Sequence, residues 1–247
     1  MSFIQFGLLI LVFISCSNAS PKKEVIPTAK VLHATEAYIV SPTDTAILAK
    51  MNLVDIQTIN AAILVDLKYA TADNFMKVVL YERMKKAYLQ KDVALRLSKV
   101  QDYLTKLHPG YHLLIYDALR PVSVQQKMWD ALDSLTPVQR AKFVSNPKNR
   151  SLHNLGAAVD ITIVDAELKP LDMGAGFDDI RQISYPTMEA RFLAEGKLTK
   201  AHIKNRDLLR KVMFSQGFRQ LETEWWHFNA CSRPEGISKY KVLMTEP

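Results

Sequence analysis

Residues 157–164 read Ala-Ala-Val-Asp-Ile-Thr-Ile-Val, and no other part of the chain constrains the fold as tightly. The run alternates as a strand requires. Val159, Ile161 and Ile163 point one way, and Ala158, Asp160 and Thr162 the other. Asp160 is a charged residue inside an otherwise apolar strand. A carboxylate in that position needs a partner or a metal ion, because burying it unpaired costs several kcal/mol at least.

The remaining elements are read from spacing. Residues 61–67 are a short apolar run and read as a strand. Residues 87–108 contain no Gly or Pro, and Val93, Leu97, Val100 and Leu104 recur at helical spacing. Pro109-Gly110 ends that helix, and residues 111–116 follow as a strand closed by Arg120-Pro121. Ser123 and Gln126 have capping-box spacing and are expected to open the next helix, which carries Met128, Trp129 and Leu132. Residues 199–216 form a helix with Leu208, Leu209, Val212 and Met213 inward, stopped by Gly217. Residues 218–229 are rich in aromatics and read as a strand pair or a bent strand. Helices and strands do not alternate regularly, so the expected class is α+β: one domain, with an antiparallel sheet flanked by helices. A chain of 247 residues, 48% of them hydrophobic, suits one sizeable core.

The formal net charge is +7, but the basic residues are spread along the chain without a dense Lys/Arg block. That pattern argues against a nucleic-acid partner and for a solvated basic surface, as would suit an anionic envelope. At the N-terminus, residues 3–14 are apolar except for Gln5 and Gly7, the length of a signal-peptide core. Ser15-Cys16 follows, and then a polar stretch containing Pro21, Lys22 and Lys23. A small residue directly before Cys resembles a bacterial lipoprotein cleavage site. The expected organisation is a signal peptide at 1–15, a tether at 16–40 lipid-anchored through Cys16, and a catalytic domain at 41–247. The protein is then exported to the cell envelope as a periplasm-facing lipoprotein, held to the membrane by the lipid on Cys16. Cys231, the other cysteine, is left as a buried or half-buried free thiol.

Two constellations carry chemistry: Ser151-x-His153-x-x-Gly156-x-Ala158-x-Asp160, and Glu224-Trp225-Trp226-His227. A catalytic zinc takes three N/O ligands and keeps one position for water. Two imidazoles and a carboxylate meet that need, and a separate carboxylate must move the proton of the water. Glu224 is the candidate. His153 fits a turn eased by Gly156. Glu224 and His227, three apart, fall on opposite faces of an ideal strand, so a bend or bulge near Trp225 is required.

Further blocks accompany these: Asp66-Leu67-Lys68-Tyr69-Ala70-Thr71 with Asn74-Phe75, Asp117-Ala118-Leu119-Arg120-Pro121, and Met173-Gly174-x-x-Phe177-Asp178. Together, over residues 66–228, they resemble the VanX-type D-alanyl-D-alanine dipeptidases of the zinc D,D-peptidase superfamily. The resemblance implies that superfamily's hedgehog-like core and one Zn2+ per chain, held by His153, Asp160 and His227. It implies Glu224 as general base and acid, and Arg120 at the oxyanion. It places Ser151 near the substrate carboxylate and Tyr69 and Asp178 around the substrate ammonium. The implied reaction is hydrolysis of D-alanyl-D-alanine to two D-alanines. The export signal points to envelope turnover or scavenging, not to antibiotic resistance. The alternatives are a zinc D,D-carboxypeptidase or peptidoglycan endopeptidase, and, in another class, a non-catalytic lipoprotein that binds wall peptides.

Overall fold

The computed structural model describes residues 45–141 and 144–247, so the expected signal peptide, tether and lipidated Cys16 lie outside the described residues. The elements run α1 (Thr45–Lys50), β1 (Leu53–Asp55), α2 (Ile56–Ile59), β2 (Leu64–Val65), β3 (Tyr88–Gln90), α3 (Lys91–Leu107), β4 (His112–Asp117), α4 (Val122–Ala131) and α5 (Pro137–Arg140). After them come β5 (Ala158–Val164), α6 (Glu189–Ala194), α7 (Lys200–Phe214), β6 (Arg219–Leu221), β7 (Glu224–Asn229) and α8 (Arg233–Lys239).

Five strands form one sheet in the order β2-β4-β5-β7-β6, and β1 pairs with β3 in a separate ribbon. The large sheet is antiparallel except for the β2–β4 pair, which is parallel. All seven residues of β5 are buried, which makes it the centre of the sheet. Helix α3 covers the sheet with Val93, Ala94, Leu97, Val100 and Leu104. Gln101 on the same face is buried but satisfied: its Oε1 accepts from Leu113 N–H at 2.7 Å and its Nε2 donates to the Tyr111 carbonyl at 3.0 Å. That side chain fixes the helix against the start of β4. Helix α7 contributes Leu209, Val212 and Met213 to the same core, and Thr199 caps it by accepting from His202 N–H. Cys231 is a buried free thiol.

Three local expectations differ from the structure. Residues 88–90 are extended and pair with β1 before α3 begins at Lys91. The 61–67 run keeps only Leu64 and Val65 in the sheet. Ser123 does not cap α4: the N-cap is Pro121, which makes no side-chain cap hydrogen bond. The C-terminal tail does the capping, because Val122 N–H and Ser123 N–H donate to the carbonyls of Leu243 and Met244 at 3.0 and 2.8 Å. Backbone carbonyls thus satisfy donors that a helix start otherwise leaves orphaned.

The tail is itself anchored. The Glu246 carboxylate, 9% exposed, accepts from the N–H groups of Glu82, Arg83 and Met84 at 3.1, 2.8 and 2.9 Å. Hydrogen bonds to a charged acceptor contribute about 1.5–3 kcal/mol each where unrelieved by water. Glu246→Ala is expected to lower stability by about 2–3 kcal/mol, read as a lower urea midpoint at unchanged slope. A midpoint within error of the parent would show that the clamp contributes nothing.

Candidate active site

A β-bulge assembles the site. Strand β4 pairs with β5 through Ile115↔Ile161 and then shifts, so that Asp117 faces Asp160. On its other side Asp160 faces His227 of β7. The register therefore aligns Asp117, Asp160 and His227 across three neighbouring strands. Two buried carboxylates opposite one another repel, and Arg120 lies between them. Its Nε and Nη2 donate to Asp117 Oδ2 at 2.8 and 2.6 Å, and Nη2 lies 3.4 Å from Asp160 Oδ2. Tyr81 donates its hydroxyl to the other Asp117 oxygen at 2.5 Å. The guanidinium also stacks over the Tyr69 ring, 5.0 Å from its centroid.

His153 arrives on a 3-10 turn, Leu152–Leu155, which Gly156 ends at φ +64°. A Cβ at Gly156 would lie 2.6 Å from Leu53, so both space and backbone call for glycine. The turn is held to the Arg120 segment by three hydrogen bonds. Arg120 N–H donates to the His153 carbonyl at 3.0 Å, Asn154 Nδ2 to the Arg120 carbonyl at 2.7 Å, and His153 Nδ1 to the Ala118 carbonyl at 2.6 Å. The bend needed near Trp225 is present. Strand β7 pairs with β6 at Leu221↔Glu224 and then shifts to Gln220↔Phe228, and Gln220 Nε2 bridges the gap to the Trp225 carbonyl at 2.7 Å. Glu224 and His227 consequently face one site, with Glu224 Oε2 3.8 Å from His227 Nδ1.

Three donor atoms converge: His153 Nε2, His227 Nδ1 and Asp160 Oδ1 lie 3.2, 3.4 and 3.0 Å from one another. The outer nitrogens decide what these atoms present. His153 Nδ1–H is committed to the Ala118 carbonyl, and His227 Nε2–H to Asn229 Oδ1 at 2.9 Å. In neutral rings both inner nitrogens are then lone pairs, aimed at each other and at a carboxylate oxygen. That arrangement calls for a cation among them. Tetrahedral zinc with N/O ligands sets donor separations of about 3.3–3.5 Å, so the triad fits it. Electrostatics agree. Burial pushes Asp160 up, but the charges and hydrogen bonds of His153 and His227 outweigh it and hold the carboxyl below the usual carboxylate range. Burial lowers His227, yet the hydrogen bond and charge of Asp160 overcome it and raise the ring to about 9. Without a metal, a proton takes that place. Burial raises the Glu224 carboxyl, with the Asp160 charge adding to it against the nearby histidines.

Asp178 stands apart from this triad. It accepts from the Tyr69 hydroxyl through both oxygens, at 3.0 and 3.2 Å, and its backbone is left-handed, φ +60°. Phe177 beside it packs against Tyr69, Tyr116 and Trp226. Burial, then repulsion from Asp160, pushes the Asp178 carboxyl well above its ordinary range. Among the described residues no cation pairs with it, and burial keeps the Tyr69 phenol protonated as a donor. Ser151 donates its hydroxyl to Gln125 Oε1 at 2.9 Å.

All eight site residues expected within the described chain line one cavity of about 260 Å³: Tyr69, Arg120, Ser151, His153, Asp160, Asp178, Glu224 and His227. Sequence reasoning missed two supporting residues. Asp117 stands at the end of an apolar strand run, where a charged residue raises no alarm, yet it is fully buried. Asn229 lies two residues beyond His227, on the same strand face, where a partner for the imidazole would fall.

Comparison with known proteins gives the chain a family. The peptidase family described as D-ala-D-ala dipeptidase matches residues 49–242. A D-alanyl-D-alanine dipeptidase of Escherichia coli is 34% identical over 176 residues, covering 71% of this chain and 83% of its own. One from Enterococcus faecalis is 33% identical, covering 68% and 86%. One from Synechocystis is 31% identical, covering 60% and 71%. The solved Zn(II) complex of the D,D-pentapeptidase VanY covers 64% of this chain and 81% of its own at 14% identity, and at a TM-score of 0.31 the overlay fixes neither fold nor function. On the family match and these relatives, the chain belongs to the D-alanyl-D-alanine dipeptidase family.

Proposed function

We propose that the protein hydrolyses D-alanyl-D-alanine to two D-alanines, using zinc, in peptidoglycan turnover. His153, Asp160 and His227 would hold the ion, which when bound supplies a Lewis acid for the peptide carbonyl and acidifies a water. The chain's own groups do the rest. Glu224 takes the proton of the attacking water and returns it to the leaving amine; burial raises its carboxyl, which suits a base working near neutral pH. Arg120, fixed by Asp117, presents a permanent charge where the oxyanion develops. Ser151 serves the carboxylate end of the substrate.

One observation carries the choice of a dipeptidase over a carboxypeptidase. Among the described residues Asp178 pairs with the Tyr69 hydroxyl and with no cation, in the cavity that the candidate metal triad also lines. A free amino terminus supplies the missing cation, whereas an acylated one leaves the carboxylate uncompensated.

The run at residues 3–14 with Ser15-Cys16 supports export, cleavage before Cys16 and lipid attachment there. The membrane is then a partner through the anchor, and the substrate pool is that of the envelope. Fractionation is expected to find the mature protein with membranes; recovery in the cytosol would overturn this.

D-alanine release is expected from D-Ala-D-Ala but not from its N-acetyl derivative, and to stop with chelator. Glu224→Gln should lower kcat by about 10²–10⁴-fold. Asp178→Asn should lower kcat/KM on the free dipeptide by about 10–100-fold, the size of one charge-assisted hydrogen bond. Equal cleavage of the acetylated compound would move the assignment to carboxypeptidase.

Zinc uptake should depend on pH. His227, raised to about 9, is protonated at neutral pH in the metal-free protein and must lose that proton to bind. Apparent affinity should climb about tenfold per pH unit between roughly pH 7 and 8.5 and flatten above the His227 value. Chelator-competition titrations that give the same affinity at both pH values would contradict this linkage.

A further inference from the structure

The cavity carries a second arginine, and nothing so far explains it. Among the described lining residues the cationic side chains besides histidine are Arg120 and Arg233. They are not equivalent. Arg120 is nearly fully buried and its Nε and Nη2 are already engaged by carboxylates, Asp117 on one side and Asp160 on the other. Its place between those carboxylates keeps it at the oxyanion position assigned to it above, so a further anion elsewhere in the cavity needs another cation.

Arg233 opens α8 and is held differently. Its Nε and Nη2 donate to the carbonyls of Arg150 and Asn149, and among the described residues no carboxylate pairs with it. Carbonyls orient a guanidinium without neutralising it. The two carbonyls it grips directly precede Ser151, so Arg233 is tied to the segment that delivers the Ser151 hydroxyl to the cavity. Asp178 is tied to a different wall, through Tyr69 and the side pocket it shares with Glu224 and Trp226. Among the described residues, the cavity is therefore lined by a carboxyl without a cationic partner on one wall and, at its exposed rim, a guanidinium without a carboxylate partner on another, with the candidate metal triad lining it too.

We propose that Arg233 is the specificity-determining residue for the free carboxylate of the substrate's C-terminal residue, acting with Ser151. This rests on the dipeptidase reading above. A zwitterionic dipeptide then meets a fixed counter-charge at each end, and the enzyme discriminates against extension or amidation at the carboxyl end as Asp178 discriminates at the amino end.

The test compares kcat/KM for D-Ala-D-Ala with that for D-alanyl-D-alaninamide, in the zinc-loaded parent, Arg233→Gln and Arg233→Lys. The parent should prefer the free acid. Arg233→Gln should reduce that preference by about 10–100-fold, through KM for the free acid, and Arg233→Lys should restore part of it. An arginine that merely braces the loop would affect both substrates equally. A preference unchanged in Arg233→Gln, or no preference in the parent, overturns the proposal and leaves the dipeptidase reading standing. No zinc-dependent cleavage of either substrate by the parent overturns both.

Discussion

The site depends on Arg120 lying between two carboxylates that the sheet register forces together. The bulge on β4 brings Asp117 opposite Asp160, an arrangement that repels unless a cation intervenes. Arg120 does so with two nitrogens on Asp117 and one near Asp160. The same guanidinium stacks on Tyr69, which in turn holds Asp178. One side chain thus links the candidate metal triad to the wall that carries Tyr69 and Asp178. This is a buried ionic network, whose net contribution to stability is small but whose members are costly to remove singly. Its value lies in fixing positions.

Strand pairing sets the rest of the geometry. Asp160 and His227 are partners in register, and His153 is carried in by a turn that is itself stitched to the Arg120 segment. A one-residue slip of β5 would turn Asp160 to the other face and dissolve the triad. The same slip would turn the Val/Ile row, now packed in the core, onto the polar face that carries the site.

Much of this was legible in the sequence. The alternation of residues 157–164 identified the central strand and the charged residue inside it, and simple periodicity identified α3 and α7. The need for a bend at Trp225 followed from the three-residue spacing of Glu224 and His227. What stayed hidden was non-local. The capping of α4 by the tail involves residues some 120 positions apart, so the Ser123 signal was outvoted by a backbone partner no local rule can see. The parallel β2–β4 pair likewise depends on which edge β2 reaches. The structure brings Tyr69, Ser151 and Asp178 to one cavity, while the roles proposed for them rest on the resemblance, since composition and spacing alone favoured ordinary packing or solvated residues.

Each imidazole of the triad has its outer nitrogen tied to an acceptor that belongs to the scaffold, the Ala118 carbonyl or Asn229. Neither acceptor depends on the ion. The socket is therefore finished by the fold, unlike small zinc modules in which binding and folding are one event. The orientation of both rings is thus set by hydrogen bonds to the scaffold, so that ligating an ion here would ask for no reordering of the strands and turn that carry them.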